Sequence, residues 1–461
     1  MLKRMELMAS KCADLIKQQS VVHVVSHIDA DGLTSAAILC TALERAGISY
    51  SVDFIRQLTD DLIKSIAAAT SDLVIFTDLG SGMIEKINEF GIKAIVCDHH
   101  VPAGDCDFHL NPRVYGINGT SDLSGSGTTF VLANALGSNS RGSNNDLANL
   151  AIVGAVGDLQ HMKLLRLTGV NKEIVNLGVA NGSIICEKDL MFFGKQTRAV
   201  HKMLQYNSDP YIPGLSGNSD ACIQFVKDAG VHMHGEKWLR WIDMQAEEKQ
   251  RIIASLVNHC VSAGISGEKI NRLVGEVYTF PKEIEGTEMR DASEYSTLLN
   301  ATARYSKASV GLGVCMGDRG TGYERAKVLL ANHRKNLVDG IILVKKQGVT
   351  KMKHFQYFDS GSKIQDTIVG IIAGMSYSIV GDRSLPIIAF ADTPGGVKVS
   401  GRGTYDLVRK GLNLAAAMSS ISSSLGGSGG GHDIAAGAYI PSSAKAEFII
   451  ALDIYIGDQM K

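Results

Sequence analysis

A short polar segment directly after an apolar run places the strongest constraint on how this chain can fold. Residues 21–25 are mostly β-branched and apolar, which predicts a buried strand, and the segment Ser26–Gly32 follows them. Within it His27, Asp29 and Asp31 occupy alternate positions, so on an extended strand end their side chains would share one face. Open α/β sheets bind their ligands at the carboxyl ends of strands. The segment therefore predicts a ligand site at one edge of a sheet.

The first hundred residues alternate between strand and helix patterns. Short apolar runs predict strands, and apolar residues at helical spacing predict the helices between them. The predicted strands are 21–26, 51–55, 72–77 and 93–97, and the predicted helices are 33–46, 60–69 and 83–90. This alternation predicts an α/β fold with a doubly wound parallel sheet and right-handed crossovers.

Polar residues of the same kinds recur where the later strands end. The third predicted strand ends at Asp78, and the fourth ends at Asp98, His99 and His100. An apolar helix pattern further along the chain ends beside Asp158. Because the carboxyl ends of parallel strands lie at one edge of the sheet, we expect these residues to converge with the first polar segment.

Six of these residues form a candidate metal-binding set. The set is His27, Asp29, Asp31, Asp78, His99 and Asp158. Carboxylates and imidazoles suit Mn²⁺, Zn²⁺ or Mg²⁺, and the absence of thiolate favours Mn²⁺ or Mg²⁺. Six ligands exceed what one ion with an open position needs, and they suit two ions about 3.5–4 Å apart that share a carboxylate. The alternative is that each residue caps a helix or lies in a surface turn.

A second α/β pattern follows a stretch to which no chemistry can be assigned. Residues 190–310 look mostly helical, with a long helix from Glu236 to about Cys260 and some strand around Arg272–Val277. The later elements are helices at 323–335, 365–379 and 406–418 and strands at 340–345, 385–391 and 396–402. We expect three domains: 1–190, a mostly helical middle insertion at 191–310, and a smaller α/β domain at 311–461.

A glycine-rich run near the end of the chain is a candidate phosphate-binding loop. Five of the six residues at 426–431 are glycine, and His432 follows them. Glycine lets the backbone approach a phosphate closely and exposes its N–H groups. Ser400 and Arg402 are further candidate contacts, since an arginine side chain matches phosphate geometry. The alternatives are a flexible linker or tight crossing for the glycines and a solvated surface pair for Ser400 and Arg402.

The charge balance gives no global signal for nucleic-acid binding. Lys and Arg total 46 and Asp and Glu total 47, so a polyanion would have to bind through a local patch or metal ions.

The eight cysteines form no C-x-x-C pair, which argues against a structural zinc site. No apolar run reaches membrane-spanning length, and we expect a cytoplasmic protein without a membrane partner. Residues 137–145 predict a surface loop, and His232 and His234 a solvated one.

The motifs together resemble those of the DHH phosphoesterase superfamily. They are HIDADG at 27–32, Asp78 in FTDLGSG, DHH at 98–100, Asp158 in VGDLQ, and GGGHDIAAGA at 429–438. The last motif is similar to the signature of the DHH-associated C-terminal domain. Within the superfamily, HIDADG and the segments at 210–218 and 290–304 resemble archaeal RecJ-like single-strand exonucleases, including the GINS-associated nuclease type.

The resemblance implies a role for each candidate residue. Two ions, Mn²⁺ or Mg²⁺, would be held by His27 and Asp29 on one side, by Asp31, His99 and Asp158 on the other, and by Asp78 between them. His100 would contact the phosphate or assist the leaving group, and Asp98 would orient the site. The implied nucleic-acid contacts are Ser400, Arg402, Gly430, Gly431 and His432.

The implied function is metal-dependent hydrolysis of phosphodiester bonds in single-stranded DNA or RNA from one end, in DNA replication or repair. A same-class alternative is a nanoRNase or a phosphatase of 3′-phosphoadenosine phosphate, which act on very short substrates. A different-class alternative is a replisome scaffold that binds GINS and the replicative helicase. The sequence leaves the polarity of digestion and the choice of DNA or RNA open.

Overall fold

The computed structural model describes residues 1–70, 72–137, 144–207, 209–231, 238–377, 380 and 382–460 of the chain. Most of the predicted loop at 137–145, and both His232 and His234, lie outside these ranges. The chain divides into two compact units, Met1–Leu330 and Ala331–Lys461. Among the helices of the described residues, none is long and apolar enough to cross a bilayer.

The first unit is built on a five-stranded sheet in which every pairing is parallel. Its strands are β1 (Val21–His27), β2 (Ser49–Ile55), β3 (Leu73–Thr77), β4 (Ala94–Cys97) and β5 (His109–Leu110). Their spatial order is β2-β1-β3-β4-β5, so the order changes direction between β1 and β3. This is the place where α/β sheets bind ligands, and the predicted doubly wound parallel fold is confirmed.

Helices cover both faces of this sheet. They are α1 (Leu2–Lys17), α2 (Ala30–Ala46), α3 (Asp60–Ala69), α4 (Ile84–Glu89), α5 (Gly125–Gly137), α6 (Ala148–Gly157) and α7 (Gly169–Ala180). Neighbouring strand residues point to opposite faces, so Val24 and Ile75 join the core formed by α1, α2, α5 and α6. Val25 and Phe76 pack on the other face, with α3 and α4.

The middle of the chain forms a small region with its own core. It has a two-stranded antiparallel sheet of β6 (Ile185–Leu190) and β7 (Val274–Thr279) and the helices α8 (Val200–Gln205), α9 (Ser219–Asp228), α10 (Ala246–Ser262) and α11 (Gly267–Asn271). Trp241, Ile252 and Leu256 are buried in that core. The chain then returns to the first core through α12 (Ala292–Arg304) and α13 (Ala308–Cys315).

The second unit is built on a six-stranded mixed sheet. Its strands are β8 (Thr350–Lys351), β9 (Gln356–Asp359), β10 (Ile387–Thr393), β11 (Gly396–Arg402), β12 (Ser428–Gly431) and β13 (Ala435–Ile440), in the order β12-β13-β11-β10-β9-β8. The helices are α14 (Thr321–Gln347), which contains the boundary between the units, α15 (Asp366–Ser376), α16 (Tyr405–Arg409), α17 (Leu414–Ser424) and α18 (Lys445–Gln459). One face packs on α17 and α18, and part of the other packs on α15.

Four predicted elements differ from the structure. The strand predicted at 340–345 is wrong, because these residues belong to α14, and a short apolar run does not distinguish a strand from a helix. The helix predicted from Glu236 is α10, which starts only at Ala246, where Glu248 closes a capping box. The predicted helix at 406–418 is two helices, α16 and α17. The predicted glycine-rich loop is largely the strand β12.

Candidate functional site

The ends of three parallel strands bring most of the candidate ligands to one edge of the first sheet. His27 is the last residue of β1, and Asp78 follows the last residue of β3. Asp98, His99 and His100 directly follow β4. Asp78 adopts a left-handed backbone conformation with φ of 58°, which Asp tolerates better than most residues. The turn after β3 thereby points the Asp78 carboxylate into the cluster.

Two helix ends supply the remaining ligands. Asp29 is the N-cap of α2, and its Oδ1 accepts the N–H of Gly32 at 3.0 Å. Asp31 lies in the first turn of the same helix, and Asp158 is the C-cap residue of α6. A Cβ on Gly154 of α6 would lie 2.2 Å from Asp31 Oδ1, so only glycine lets the two helices approach this closely.

The six candidate ligands form two triplets that meet at Asp78. Within each triplet the ligand atoms lie within 4.8 Å of one another, and the triplets are His27, Asp29 and Asp78, and Asp31, His99 and Asp158. His27 Nδ1 lies 3.1 Å from Asp29 Oδ1 and 3.4 Å from Asp78 Oδ2. His99 Nε2 lies 3.3 Å from Asp158 Oδ2 and 3.8 Å from Asp31 Oδ2. The other oxygen of Asp78, Oδ1, lies 3.2 Å from His99 Nε2, so Asp78 presents one oxygen to each triplet.

The chemistry of these atoms fits a divalent cation. His27 Nδ1, Asp78 Oδ1 and His99 Nε2 are buried and make no hydrogen bond to any described residue. Buried polar atoms nearly always have a partner, so three such atoms, distributed over the two triplets, are consistent with cations that accept their lone pairs. Carboxylate oxygens and imidazole nitrogens are ligands that Mn²⁺ accepts, and Mg²⁺ accepts the oxygens.

Burial and mutual repulsion shift the pKa values of the acidic groups in this cluster. Burial, together with the neighbouring Asp78, raises the pKa of Asp31 to about 7. Burial and the nearby Asp31 raise the pKa of Asp158 well above its usual value. Burial alone would lower the pKa of His99, but Asp78 and Asp158 raise it well above its ordinary value. The cluster therefore resists full ionisation unless protons or cations compensate its charge.

Backbone groups orient two of the ligands. His99 Nδ1 lies 2.6 Å from Gly119 O, so its N–H donates to that carbonyl and Nε2 faces the carboxylates. Asp31 accepts the N–H groups of Gly125 and the following residue at 2.7 and 2.9 Å, at the start of α5. A Cβ on Gly125 would lie 2.3 Å from Asp78 Oδ1, so α5 can begin here only with glycine.

Asp98 and His100 lie beside the two triplets and contact each other. Asp98 is buried, and its Oδ1 accepts the N–H groups of His99 at 2.7 Å and His100 at 3.2 Å. The same oxygen lies 2.8 Å from His100 Nδ1, and Oδ2 accepts the N–H of Ser81 at 2.9 Å. Burial lowers the pKa of His100, but Asp98 outweighs it and raises the pKa above the ordinary value. The ring of His100 is therefore exposed, while its Nδ1 is held by the buried Asp98.

Sequence reasoning missed the contribution of α12 to this site. Asn300 of α12 accepts the N–H of Ala30 through its Oδ1 at 3.0 Å, and Ala30 begins the helix that carries Asp31. Gly157 contacts the same helix, since a Cβ there would lie 3.4 Å from Ser296 Cβ. A position 270 residues away in sequence gives no local signal of such a contact.

In the second unit, the candidate phosphate contacts lie along β11. Ser400 and Arg402 share a face of the sheet, where Ser400 is buried and Arg402 is half-buried, with Ser400 opposite Gly437 and Gly437 opposite Gly430. Lys398, two residues earlier, lies on the same face, with its Nζ 4.1 Å from the centre of the Tyr439 ring. Sequence reasoning missed Lys398, which forms a polar stripe along β11 together with Ser400 and Arg402.

Gly430, Gly431 and His432 do not all share that face. Gly430 is opposite Gly437, in the row of Ser400, and a Cβ on Gly430 would meet no atom within 4 Å. Gly431 is opposite Ala436 and belongs to the other face, where it has φ of 140° and turns the chain into His432. The N–H of His432 donates to Ala435 O at 2.8 Å, and the residue is exposed. The face that carries the polar stripe therefore continues onto β13 and β12 with glycines, Gly437 and Gly430, in the row of Ser400.

Models of three protein families match the chain. The DHH family N-terminal domain matches residues 21–155, the DHH-CID domain residues 192–274 and the DHHA1 domain residues 352–458. An uncharacterised protein of Methanocaldococcus jannaschii is 30% identical over 459 residues, 97% of this chain and 96% of that protein. The single-stranded-DNA-specific exonuclease RecJ of Bacillus subtilis is 27% identical over 193 residues, which cover 39% of this chain and 23% of that enzyme.

Solved structures show the same fold. RecJ of Thermus thermophilus in complex with Mn²⁺ has a TM-score of 0.58 at 17% identity, covering 98% of this chain and 55% of that one. CDC45 of Entamoeba histolytica has a TM-score of 0.67 at 12% identity, covering 98% and 99%. The order of matched domains, the acidic and imidazole cluster and these relatives agree, and the chain belongs to the DHH superfamily as a RecJ-like member.

Proposed function

We propose that this protein is a two-metal exonuclease that removes nucleotides from one end of single-stranded DNA or RNA. The observation that carries the proposal is the position of Asp78 between the triplets, with Oδ2 3.4 Å from His27 Nδ1 and Oδ1 3.2 Å from His99 Nε2. A carboxylate in that position can bridge two cations, which is the arrangement used for in-line displacement at a phosphate.

The charge of the cluster supports two divalent ions rather than one. The two triplets contain the carboxylates of Asp29, Asp31, Asp78 and Asp158, which carry four negative charges when ionised, and two divalent ions would carry four positive charges. We assign His27 and Asp29 to one ion, Asp31, His99 and Asp158 to the other, and Asp78 to both. Mn²⁺ is our first choice, since it accepts imidazole and carboxylate ligands together, and Mg²⁺ is the second.

The remaining polar groups have roles that follow from their positions. When bound, the two ions would lower the pKa of a water molecule and neutralise charge on the scissile phosphate. The Nδ1 atom of His100 is held by Asp98, which leaves Nε2 on the exposed side, where it can protonate the leaving oxygen. Asp98 is the orienting partner, and the N–H donors at the start of α5 hold Asp31 in place.

We infer that the second unit holds the nucleic-acid strand. Lys398, Ser400 and Arg402 form a polar stripe on one face of β11, and Gly430 beside it projects no side chain. Cations and backbone N–H groups contact phosphates without regard to base sequence, which suits an enzyme that digests many sequences. We assign a further strand contact to His432, which is exposed directly after β12, and Gly431 serves the turn rather than the contact.

End-labelled substrates test this function directly. The protein with Mn²⁺ is expected to shorten single-stranded DNA or RNA stepwise from one end and to leave duplex DNA intact. Comparison of 5′-labelled and 3′-labelled strands gives the polarity, and a length series separates the alternatives. Activity confined to di- and trinucleotides or 3′-phosphoadenosine phosphate would favour the nanoRNase or phosphatase class. Absence of cleavage on every substrate with both Mn²⁺ and Mg²⁺ would refute the proposal.

A second candidate function is a replisome scaffold in DNA replication or repair. The match of residues 192–274 to the DHH-CID domain and the CDC45-like fold favour it. We assign a partner-binding role to the part of the predicted middle insertion, 191–310, that precedes α12, the metal chemistry to 1–190 together with α12, and strand binding to 311–461. Purified GINS and the replicative helicase, mixed with the protein in gel filtration, test this function. Co-elution that survives Asp78→Asn would show binding independent of catalysis, and separate elution would contradict it.

A further inference from the structure

A buried polar network lies behind the turn that carries His100, outside the six candidate ligands. It consists of Ser81 after β3, His109 on β5, Asn111 after β5, and Asp105 at the surface. Ser81, His109 and Asn111 are almost completely buried, with exposures of 0%, 1% and 0%. Buried polar side chains are costly unless they are hydrogen-bonded, so their placement needs an explanation.

Each buried member of the network is hydrogen-bonded. His109 Nδ1 lies 3.2 Å from Asp105 Oδ1, and His109 Nε2 lies 3.1 Å from Ser81 Oγ. Asn111 Nδ2 donates to Ser81 Oγ at 2.8 Å and to His100 O at 2.9 Å. The network therefore joins residues that follow three neighbouring strands of the sheet, and it ends on the backbone of His100.

The hydrogen bonds have a single consistent direction. Asn111 Oδ1 accepts the N–H of Arg113 at 2.9 Å, which fixes the amide so that its NH₂ group faces Ser81 and His100. The carboxylate of Asp105 accepts, so the ring proton of a neutral His109 lies on Nδ1 and donates to it. His109 Nε2 then accepts the hydroxyl proton of Ser81, whose Oγ accepts from Asn111. Burial lowers the pKa of His109, in agreement with a neutral ring.

The turn that carries His100 is fixed at two points by this network. Asn111 holds the carbonyl oxygen of His100, while the N–H of Ser81 holds Asp98 Oδ2 and Asp98 Oδ1 holds His100 Nδ1. The side chain of His100 is 56% exposed, so packing does little to fix its ring. Hydrogen bonds must supply the orientation that packing does not.

We propose that Ser81, His109 and Asn111 are positioning residues that hold the turn of Asp98 and His100 in its working geometry. The proposal rests on the proposed hydrolase function, in which His100 is the proton donor. Among the described residues, the three side chains form hydrogen bonds with none of the side chains of the six candidate ligands. Loss of the network should therefore slow turnover and leave metal binding intact.

Ser81→Ala is the direct test, because it removes one hydroxyl from the middle of the network. The expected result is a kcat lower by about 10- to 100-fold, the usual cost of losing an orienting partner, with KM and the Mn²⁺ stoichiometry and affinity unchanged. The matched control is Ser183→Ala, another buried serine of the first unit, whose Oγ donates to Gly178 O at 3.3 Å, and it should keep kcat. An unchanged kcat in Ser81→Ala, or a parallel loss of Mn²⁺ binding, would overturn the proposal.

Nitrogen NMR of the unmodified protein provides a second test that needs neither a variant nor catalysis. Long-range ¹H–¹⁵N correlation of His109 should show the proton on Nδ1. A proton on Nε2 would reverse the direction of the network and overturn the proposal. If the unmodified protein cleaves no substrate while His109 has the Nδ1–H tautomer, the proposed function fails and the network stands, so the two failures are distinguishable.

Discussion

The two sheets of this protein place their polar residues in different ways. The parallel sheet of the first unit gathers them at the ends of β1, β3 and β4, where Asp31 and Asp78 are buried within a few ångströms of His99. The mixed sheet of the second unit spreads its polar residues along one face of β11, where Lys398 and Arg402 are half-buried. The first arrangement makes a small closed cluster, and the second makes an extended surface.

Each arrangement suits a different kind of ligand. Strand ends in a parallel sheet converge, so a few short turns can surround a point charge such as a metal ion. A face of antiparallel strands repeats every two residues, about 6.8 Å, which is close to the spacing of successive phosphates in an extended nucleic-acid strand. We therefore propose that the first unit carries the chemistry and that the second unit holds the nucleic-acid strand.

Among the substitutions proposed below, Asp78→Asn should cause the largest loss of activity. Asn keeps the shape and tolerates the left-handed backbone of Asp78, with φ of 58°, but it cannot bridge two ions with two anionic oxygens. We expect kcat to fall by about 10³-fold or more, equivalent to roughly 4 kcal/mol. Steady-state kinetics with Mn²⁺ measure it, while the affinity for single-stranded DNA should stay unchanged.

The control for that variant is Asp61→Asn, at a side chain that is 98% exposed in the first turn of α3. It removes the same charge without touching the cluster and should keep full activity. Equal activity of both variants would mean that Asp78 is not part of the catalytic machinery.

Arg402→Ala tests the other half of the comparison. Loss of one phosphate contact should raise KM about tenfold, with kcat kept, and should reduce the slope of log affinity against log salt by about 1. Fluorescence anisotropy across a salt series measures the affinity and its slope, and steady-state kinetics measure KM. The control is Arg409→Ala in the same unit, an exposed residue paired with Asp406. An Arg402→Ala effect on kcat alone would contradict a binding role.

Gly430→Ala tests whether strand binding depends on the absence of a side chain at this position. A Cβ there meets no protein atom, so stability should be kept while affinity for the strand falls about fivefold, or about 1 kcal/mol. Gly429→Ala is the matched change on the opposite face, where a Cβ would lie 2.6 Å from Met418 O. It should lower the melting temperature instead. If both variants bind single-stranded DNA like the unmodified protein, the strand does not contact the sheet face at Gly430.

Removal of metal should leave a pH-dependent stability in the first unit. The pKa of Asp31 is raised to about 7, and those of His27 and His99 are raised above their ordinary values, so the folded state binds more protons than the unfolded state. The melting temperature of the metal-free protein should therefore fall as pH rises from about 4 through 7, where Asp31 loses its proton, and fall further above that as His27 and His99 lose theirs. Saturating Mn²⁺ should flatten this slope. Calorimetry in EDTA and in Mn²⁺ measures it, and identical slopes would contradict the shared site.

The sequence was sufficient where a signal repeats at regular spacing. Alternating strands and helices predicted the parallel sheet, and the strand ends predicted that Asp29, Asp78 and His99 would converge, as they do. The roles of these residues as metal ligands stay predictions. The apolar run at 340–345 failed as a strand because it lies within α14, where Gly340 allows close packing: a Cβ there would lie 2.3 Å from Ile372.

Contacts between distant parts of the chain could not be predicted in this way. Asn300 binds the start of α2 from 270 residues away, and Ser81, His109 and Asn111 meet only because β3, β4 and β5 are neighbours. Each of these residues is ordinary in its local sequence. Their roles depend on strand order and on side-chain direction, which hydrophobic periodicity does not encode.

Anomalous scattering from a crystal grown with Mn²⁺ tests the central claim most directly. We expect two manganese peaks about 3.5–4 Å apart, one against His27 and Asp29, the other against Asp31, His99 and Asp158, with an oxygen of Asp78 on each. A map without a peak among these six side chains, or with a single ion that Asp78 does not contact, would contradict it.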